Sequence, residues 1–341
     1  MSTRSGLDIL VVGGGTFGST LATLLCENGH RVRIWVRREE QASEINAKHT
    51  NSRYLGDFKL HENLQATNEL ADSVPETPIV LVAIPSKFFR EVAREIGDNL
   101  EGDQILVHAT KGIEIDTFKR MSDILREETC AKKIGVISGP NLAKEIIAGQ
   151  PAGALVASRY DEVVEGTQTL FQGSWMRMYG GRDVIGTEIG GSFKNIIALA
   201  AGVANGMGLG DNTKALLITR GLSEMARFGV SLGADVFTFG GLAGIGDLMA
   251  TCASPLSRNH QVGVRLAKGE KLKKIVESMN QVAEGITTTK AVFKQVQHLG
   301  LDLPIVRAVY GLLYEGWEGQ KALQNLMAIP VGRELAALRY R

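Results

Sequence analysis

The stretch Ile9-Leu10-Val11-Val12-Gly13-Gly14-Gly15-Thr16-Phe17-Gly18 decides how this chain folds. A short apolar run rich in β-branched residues reads as a buried strand. It leads straight into Gly-x-Gly-x-x-Gly, and Phe17–Asn28 behind it has helical spacing. At such a turn Gly13 permits the tight bend, Gly15 lets backbone approach a pyrophosphate, and Gly18 lets the helix pack closely on the strand. The helix N-terminus then faces the anion. A glycine turn alone is weak evidence, since any α/β protein can carry one. The setting is stronger: the turn follows the first strand, Gly29-His30 ends the helix, and a second strand comes next. A dinucleotide-binding βαβ unit is the reading.

Outward from this unit, apolar runs at Val32–Val36, Ile79–Ala83, Gln104–His108 and Lys133–Ser138 read as further strands of a parallel sheet. Helical spacing at Lys87–Ile96 and Thr117–Glu128 lies between them, which predicts right-handed crossovers. Gly153–Ala157 and Trp175–Tyr179 flank another helical segment and extend the sheet in a mixed sense. Past Gly180 strand-like runs almost vanish. Helical patterns follow at Lys194–Ala204, Asp211–Phe228, Leu242–Cys252, Ser257–Lys268, Thr287–His298 and Ile305–Leu313. The expected class is α/β: a Rossmann-like N-terminal domain with a mainly parallel sheet, residues 1–186, then an all-α C-terminal domain, residues 187–341, with the boundary in Gly180–Gly191.

Composition narrows the function classes. The 341 residues carry a formal net charge of +1, with 38 Lys and Arg scattered among 37 Asp and Glu, which argues against a nucleic-acid partner. The longest weakly polar stretch, Ile185–Gly210, contains Glu188, Lys194, Asn195 and many glycines, which is wrong for a membrane span. Cys26, Cys130 and Cys252 form no paired framework, and Arg339-Tyr340-Arg341 is no peroxisomal address, so a cytoplasmic location is expected. Six His and three Cys show no ligand spacing, and no metal is expected.

At the end of the second strand an NAD-binding chain carries Asp or Glu for the ribose 2′-hydroxyl. Here Arg37 and Arg38 stand there, and guanidinium suits a 2′-phosphate, so NADPH is favoured with NAD possible. The plain alternative is two solvated arginines paired with Glu39 and Glu40. Lys111 follows a strand end, where ligands gather in open α/β sheets, although such a Lys is often mere surface. Asn141 follows the Gly139 turn and also reads as a helix N-cap. Lys194 and Asn195 open an apolar helix, where they must snorkel, pair or serve a cleft. Asp247 and Thr251 share one helical face. Ser257, Arg258 and Asn259 begin a helix, an arrangement competent to hold a phosphate monoester, and an ordinary N-cap explains Ser257 equally well.

Eight segments in order resemble the NAD(P)-dependent glycerol-3-phosphate dehydrogenases of the bacterial biosynthetic type: GGGTFGST, ATKG, VISGPNLAKE, EIGGSFKNIIALAAG, NTKALLITRGLSEM, GLAGIGDL, TCASPLSRN and VAEGITT, within residues 12–288. The resemblance implies reversible reduction of dihydroxyacetone phosphate to glycerol 3-phosphate for phospholipid synthesis. It makes Lys194 the proton donor and acceptor, with Lys111, Asn195, Asp247 and Thr251 around the carbonyl. Arg258 and Asn259 would hold the phosphate, and Gly139, Asn141 and Ser257 match further substrate contacts. Thr16, Phe17, Arg37, Lys111, Ala143, Arg258 and Glu284 match dinucleotide contacts. The chain departs from the family at Asn141, where Ser or Thr is usual, and at Thr16-Phe17, where Ser-Trp or Ser-Tyr is common. The expected partner is a small molecule, and a homodimer is possible. Two rivals are a β-hydroxyacid or 6-phosphogluconate-type dehydrogenase, which TCASPLSRN does not support, and a redox sensor without turnover, which needs no proton donor.

Overall fold

The computed structural model describes residues 6–279 and 283–329. Val282 of the VAEGITT stretch and Arg339-Tyr340-Arg341 lie outside the described residues. The chain divides into two units: Met1–Thr110 with Met121–Val184, and Lys111–Arg120 with Ile185–Arg341.

The strands are β1 (Asp8–Val12), β2 (Arg31–Trp35), β3 (Gln65–Thr67), β4 (Ile79–Val82), β5 (Ile105–His108), β6 (Ile134–Ser138), β7 (Ala152–Ser158) and β8 (Met176–Gly181). The helices of the first unit are α1 (Thr16–Glu27), α2 (Glu39–Lys48), α3 (Ser52–Leu55), α4 (Phe89–Asp98), α5 (Met121–Glu128), α6 (Ala143–Ile147) and α7 (Asp161–Leu170). The helices that follow are α8 (Val184–Gly206), α9 (Asp211–Ser231), α10 (Asp247–Ala253), α11 (Arg258–Ala267), α12 (Leu272–Glu277), α13 (Glu284–Leu299), α14 (Pro304–Tyr314) and α15 (Gly319–Met327).

The strand order is β3-β2-β1-β4-β5-β6-β7-β8. All neighbours run parallel except β6 and β7, which are antiparallel, and β7 and β8 are again parallel. Alternation along β1 splits its apolar side chains between two cores. Ile9 and Val11 join Leu21, Leu25 and Ile45 on one face, while Leu10 and Val12 join Phe89, Ile96 and Leu125 on the other. A strand buried on both faces cannot alternate with polar residues, which is why the runs are continuously apolar. Chain order reverses between β2 and β4, so β1 borders a topological switch point, where α/β sheets bind ligands.

Several boundaries differ from the sequence expectation. The helix expected over Thr117–Glu128 begins at Met121, because Ile113 bridges Arg120 and Phe118 takes a φ of 59°. Asn141 is no N-cap: α6 begins at Ala143 with Leu142 in the cap position and no side-chain cap bond. The Gly-rich region Gly180–Gly191, expected to hold the domain boundary, is helical from Val184. Glycines further along α8 and in α11 serve packing. A Cβ on Gly202 would stand 2.1 Å from the His260 carbonyl oxygen, and one on Gly263 would stand 2.1 Å from that of Leu199. Backbone of α11 therefore lies directly against backbone of α8. Ile189, Phe193, Ile196 and Ile197 of α8 are fully buried among Met225, Phe228, Val292 and Val306, as expected for a helix apolar on every side.

Candidate active site

In the second unit, α8 carries Lys194 inside this apolar shell, with the residue 6 % exposed. Burial penalises the ammonium and pulls its pKa down to about 7, while the Asp247 charge opposes the fall and Lys111 adds to it. A π-helical turn, Leu242–Gly246, delivers Asp247 to the first position of α10. Gly190 fixes this approach, since a Cβ there would lie 2.3 Å from the Ala243 carbonyl oxygen.

The Lys194 ammonium donates to Asp247 Oδ1 and, at 2.8 Å, to Thr251 Oγ1 one turn further along α10. Lys111 Nζ donates to Asp247 Oδ2 at 2.7 Å. One buried carboxylate thus bridges two ammonium groups and leaves the cluster cationic. All four residues are polar, and the three that are buried, Lys194, Asp247 and Thr251, would be costly unless satisfied. An ammonium has three donors, and two of those on Lys194 are taken within the cluster. The third can meet an oxygen on which negative charge develops. Cys252 is buried beside this cluster, and burial pushes its thiol up to about 12, so it offers no thiolate nucleophile near neutrality.

Lys111 reaches the cluster because Lys111–Arg120 leaves the strand order after β5 and groups with the helical unit. At the other end of that segment, Arg120 Nη1 donates to buried Glu188 Oε2 at 2.7 Å. Neither the grouping nor this ion pair carries a sequence signal, since both depend on contacts distant in the chain.

Next to Lys194, Asn195 Oδ1 accepts from Asn259 Nδ2 at 2.9 Å, and Asn259 Oδ1 accepts from the Gly285 N–H at 2.9 Å. Ser257 caps α11 by accepting from the His260 N–H at 3.3 Å. Arg258 opens that helix with a solvent-exposed side chain; the protein around it lowers its pKa, and the Glu284 charge opposes the shift.

In the first unit the glycine turn has the expected form. Gly13 adopts a φ of 119°, and a Cβ on Gly18 would lie 1.9 Å from the Gly13 carbonyl oxygen. Nothing stands within 4 Å of the Cβ position of Gly15. Helix α1 starts at Thr16 with no side-chain cap and no acidic residue in its first turn. Open backbone beside uncapped N–H groups suits an anionic pyrophosphate, so the residues present fit a dinucleotide. The Gly14 carbonyl accepts from Gln41 Nε2 at 2.6 Å and Asn51 Nδ2 at 2.9 Å, a buried brace the glycine pattern does not reveal. Phe17 packs against the core on this face. Ala143 lies by α1, its carbonyl 3.4 Å from Thr20 Oγ1, and Thr16 Oγ1 donates to the Tyr54 carbonyl at 3.4 Å.

Arg37 is exposed with its guanidinium 5.1 Å from the Phe88 ring centroid, and Arg38 donates to Gln41 Oε1 at 3.2 Å. Among the described residues neither pairs with Glu39 or Glu40, and Arg37 stands in solvent, as the plain alternative of solvated arginines also has it. Arg38, Glu40, Gln41, Glu44, Asn51 and Arg53 line a concavity there. At the end of β6, Gly139 has a φ of 140°, and both amide atoms of Asn141 are shielded from solvent without a partner among the described residues.

A Rossmann-like sheet with an open glycine turn, and a helical unit with a buried Lys–Asp–Lys cluster, define a dinucleotide-dependent oxidoreductase. Residues 8–164 match the model for the NAD-dependent glycerol-3-phosphate dehydrogenase N-terminus, and residues 183–324 match that for its C-terminus. A relative from Acinetobacter baylyi named glycerol-3-phosphate dehydrogenase [NAD(P)+] is 46% identical, over 92% of this chain and 87% of its own. Another of that name, from Staphylococcus saprophyticus, is 43% identical over 94% and 97%. The crystal structure of glycerol-3-phosphate dehydrogenase from Coxiella burnetii superposes with a TM-score of 0.91 at 32% identity, covering 96% of this chain and 100% of that one. The chain belongs to the NAD-dependent glycerol-3-phosphate dehydrogenase family.

Proposed function

We propose that this chain catalyses the reversible reduction of dihydroxyacetone phosphate to sn-glycerol 3-phosphate, with NADPH favoured and NADH accepted, and so supplies glycerophospholipid synthesis. The observation that carries the reading is the buried Lys194–Asp247–Lys111 cluster, a proton donor poised near neutral pH beside a second cation. When bound, the nicotinamide supplies a hydride. Gly13, Gly15, Gly18, Thr16 and Phe17 would hold the dinucleotide, with Arg37 and Arg38 at its 2′-phosphate and Ala143, Lys111, Arg258 and Glu284 as further contacts.

Lys194 donates a proton to the carbonyl oxygen as it gains charge, and Lys111 stabilises that charge. Asp247 and Thr251 hold the Lys194 ammonium in one direction, so the transfer needs no side-chain search. Arg258 and the N-terminus of α11 anchor the phosphate, with Ser257, Gly139 and Asn141 completing the substrate contacts. Binding energy far from the reacting carbon then positions it.

We take residues 1–186 as the dinucleotide-binding domain and 187–341 as the substrate-binding domain, with Lys111–Arg120 serving the second. A homodimer in the cytoplasm is part of the proposal. All three cysteines are free, as a reducing compartment favours, and among the described residues no helix is long and apolar enough to cross a membrane. The test is a purified-protein assay following NADPH or NADH absorbance with dihydroxyacetone phosphate, with 2-keto acids and 6-phosphogluconate chemistry as controls. Turnover with dihydroxyacetone phosphate alone supports the reading. Turnover with a control substrate instead, or cofactor binding without turnover, overturns it.

A further inference from the structure

We propose that Arg120 and Glu188 are positioning residues: their buried ion pair fixes the register of the hairpin that carries Lys111, and so holds the Lys111 ammonium on Asp247. The proposal rests on the reaction assigned above, in which Lys111 stabilises charge on the substrate oxygen.

Lys111–Arg120 is a hairpin closed by an antiparallel bridge between Ile113 and Arg120. Within it the Glu114 N–H donates to the Lys119 carbonyl at 3.0 Å, and the Phe118 N–H to the Glu114 carbonyl at 2.9 Å. Phe118 takes a left-handed φ of 59°, which a bulky residue adopts only when its surroundings impose it. Ile113 is buried among the helices, and the Phe118 ring meets Phe228 of α9 edge-on, 5.9 Å between centroids. Such apolar contacts are non-directional: they keep the hairpin on the helices without fixing its register. The ion pair is directional. Arg120 Nη1 reaches Glu188 Oε2 at 2.7 Å, with the two side chains 15% and 3% exposed.

Helix α8 serves as the common reference. Glu188 lies on it one and a half turns or so before Lys194, about 9 Å along the axis. Between them Gly190 abuts the Ala243 carbonyl of the π-helical turn that delivers Asp247. The same helix thus fixes the proton donor, the approach of its carboxylate and the far end of the hairpin. Lys111 stands just before the bridge residue Ile113, with its ammonium 2.7 Å from Asp247 Oδ2. A one-residue slip of the bridge would carry the Lys111 backbone about 3.3 Å along the strand and draw the ammonium off that oxygen. A buried ion pair adds little net stability over an apolar pair of similar size, so what it contributes here is direction.

The experiment compares wild type with the apolar pair Arg120→Met/Glu188→Leu, which removes both charges together and should keep Tm nearly unchanged. Two quantities are read: kcat for dihydroxyacetone phosphate across pH at saturating NADPH, and the Lys194 titration in cofactor-free protein by NMR of isotope-labelled lysine, assigned with Lys194→Ala. The groups facing Lys194 are Asp247, which favours its charge, Lys111, which opposes it, and the neutral Cys252 thiol. Once Lys111 is no longer held in place, the Lys194 titration and the falling limb of reduction should both move up by about one pH unit. On the acid plateau kcat should fall roughly 10- to 100-fold, as for a misplaced catalytic group. An unmoved or lowered titration overturns the proposal. In a Lys111→Ala background the apolar pair should cost no more than about threefold further in kcat, and losses that multiply overturn it too. Should the apolar pair not fold, Glu188→Gln takes its place and should raise the titration less. The direct effect of losing that carboxylate charge has the opposite sign, so a lowered or unmoved titration again decides against the proposal. No wild-type turnover with dihydroxyacetone phosphate would remove the parent reading, while the NMR titration would still show whether the ion pair holds Lys111.

Discussion

Lys194 shows how a single residue sets a pH profile. It must be an ammonium to protonate the oxygen during reduction and neutral to accept a proton during oxidation. With its pKa drawn to about 7, reduction should slow as pH rises through that value while oxidation quickens, which opposed rate profiles in the two directions will check. Lys194→Ala should lower kcat roughly 10²- to 10⁴-fold with Tm little changed; near-normal turnover in a folded variant removes Lys194 from the mechanism. Asp247→Asn withdraws the charge that props up the Lys194 ammonium, so the reductive profile should move to lower pH. The same change leaves two cations without their shared carboxylate and should cost about 3 kcal/mol in denaturant unfolding, less where Lys194 neutralises instead.

Elements are where sequence and structure diverge most instructively. The strands around the glycine turn are legible because burial on both sheet faces forces unbroken apolar runs. The three-residue β3 and the helix α2 are not, since the former is too short for a pattern and the latter is mainly polar with few buried residues. Among site residues, Lys194, Asp247 and Arg258 stand out as polar groups in apolar or glycine-rich settings. Gln41, Asn51 and Gly285 act through contacts that no local spacing encodes.

Glu224 of α9 was equally silent. Its buried carboxylate accepts from the N–H groups of Ile305 at 2.7 Å and Val306 at 3.2 Å, tying α9 to the start of α14. Burial raises its pKa from 4.5 to about 7, so the folded chain binds a proton more tightly than the unfolded one. That contribution to stability is complete below about 4.5 and is lost as pH rises through about 7. Urea unfolding of wild type against Glu224→Gln should show this pH dependence flattened in the variant. At the end of β2, Arg37→Asp should weaken NADPH roughly tenfold or more and leave NADH nearly unchanged. Equal losses for both cofactors would defeat the assignment of Arg37 to the 2′-phosphate.

At the scale of the whole molecule, the two units do not coincide with a single cut in the chain. Lys111–Arg120 groups with the helical unit although sheet and helix of the first unit flank it on both sides. Gene fragmentation exposes the consequence. A C-terminal piece started at Ile185 would lack the Lys111 ammonium on Asp247 and the Arg120 partner of Glu188, two charges drawn from ten residues encoded upstream. The halves are therefore not interchangeable cassettes. A chimera joined near that boundary inherits a mismatched loop from its other parent, and only one that transplants the ten residues with the helices keeps its charge pairs matched.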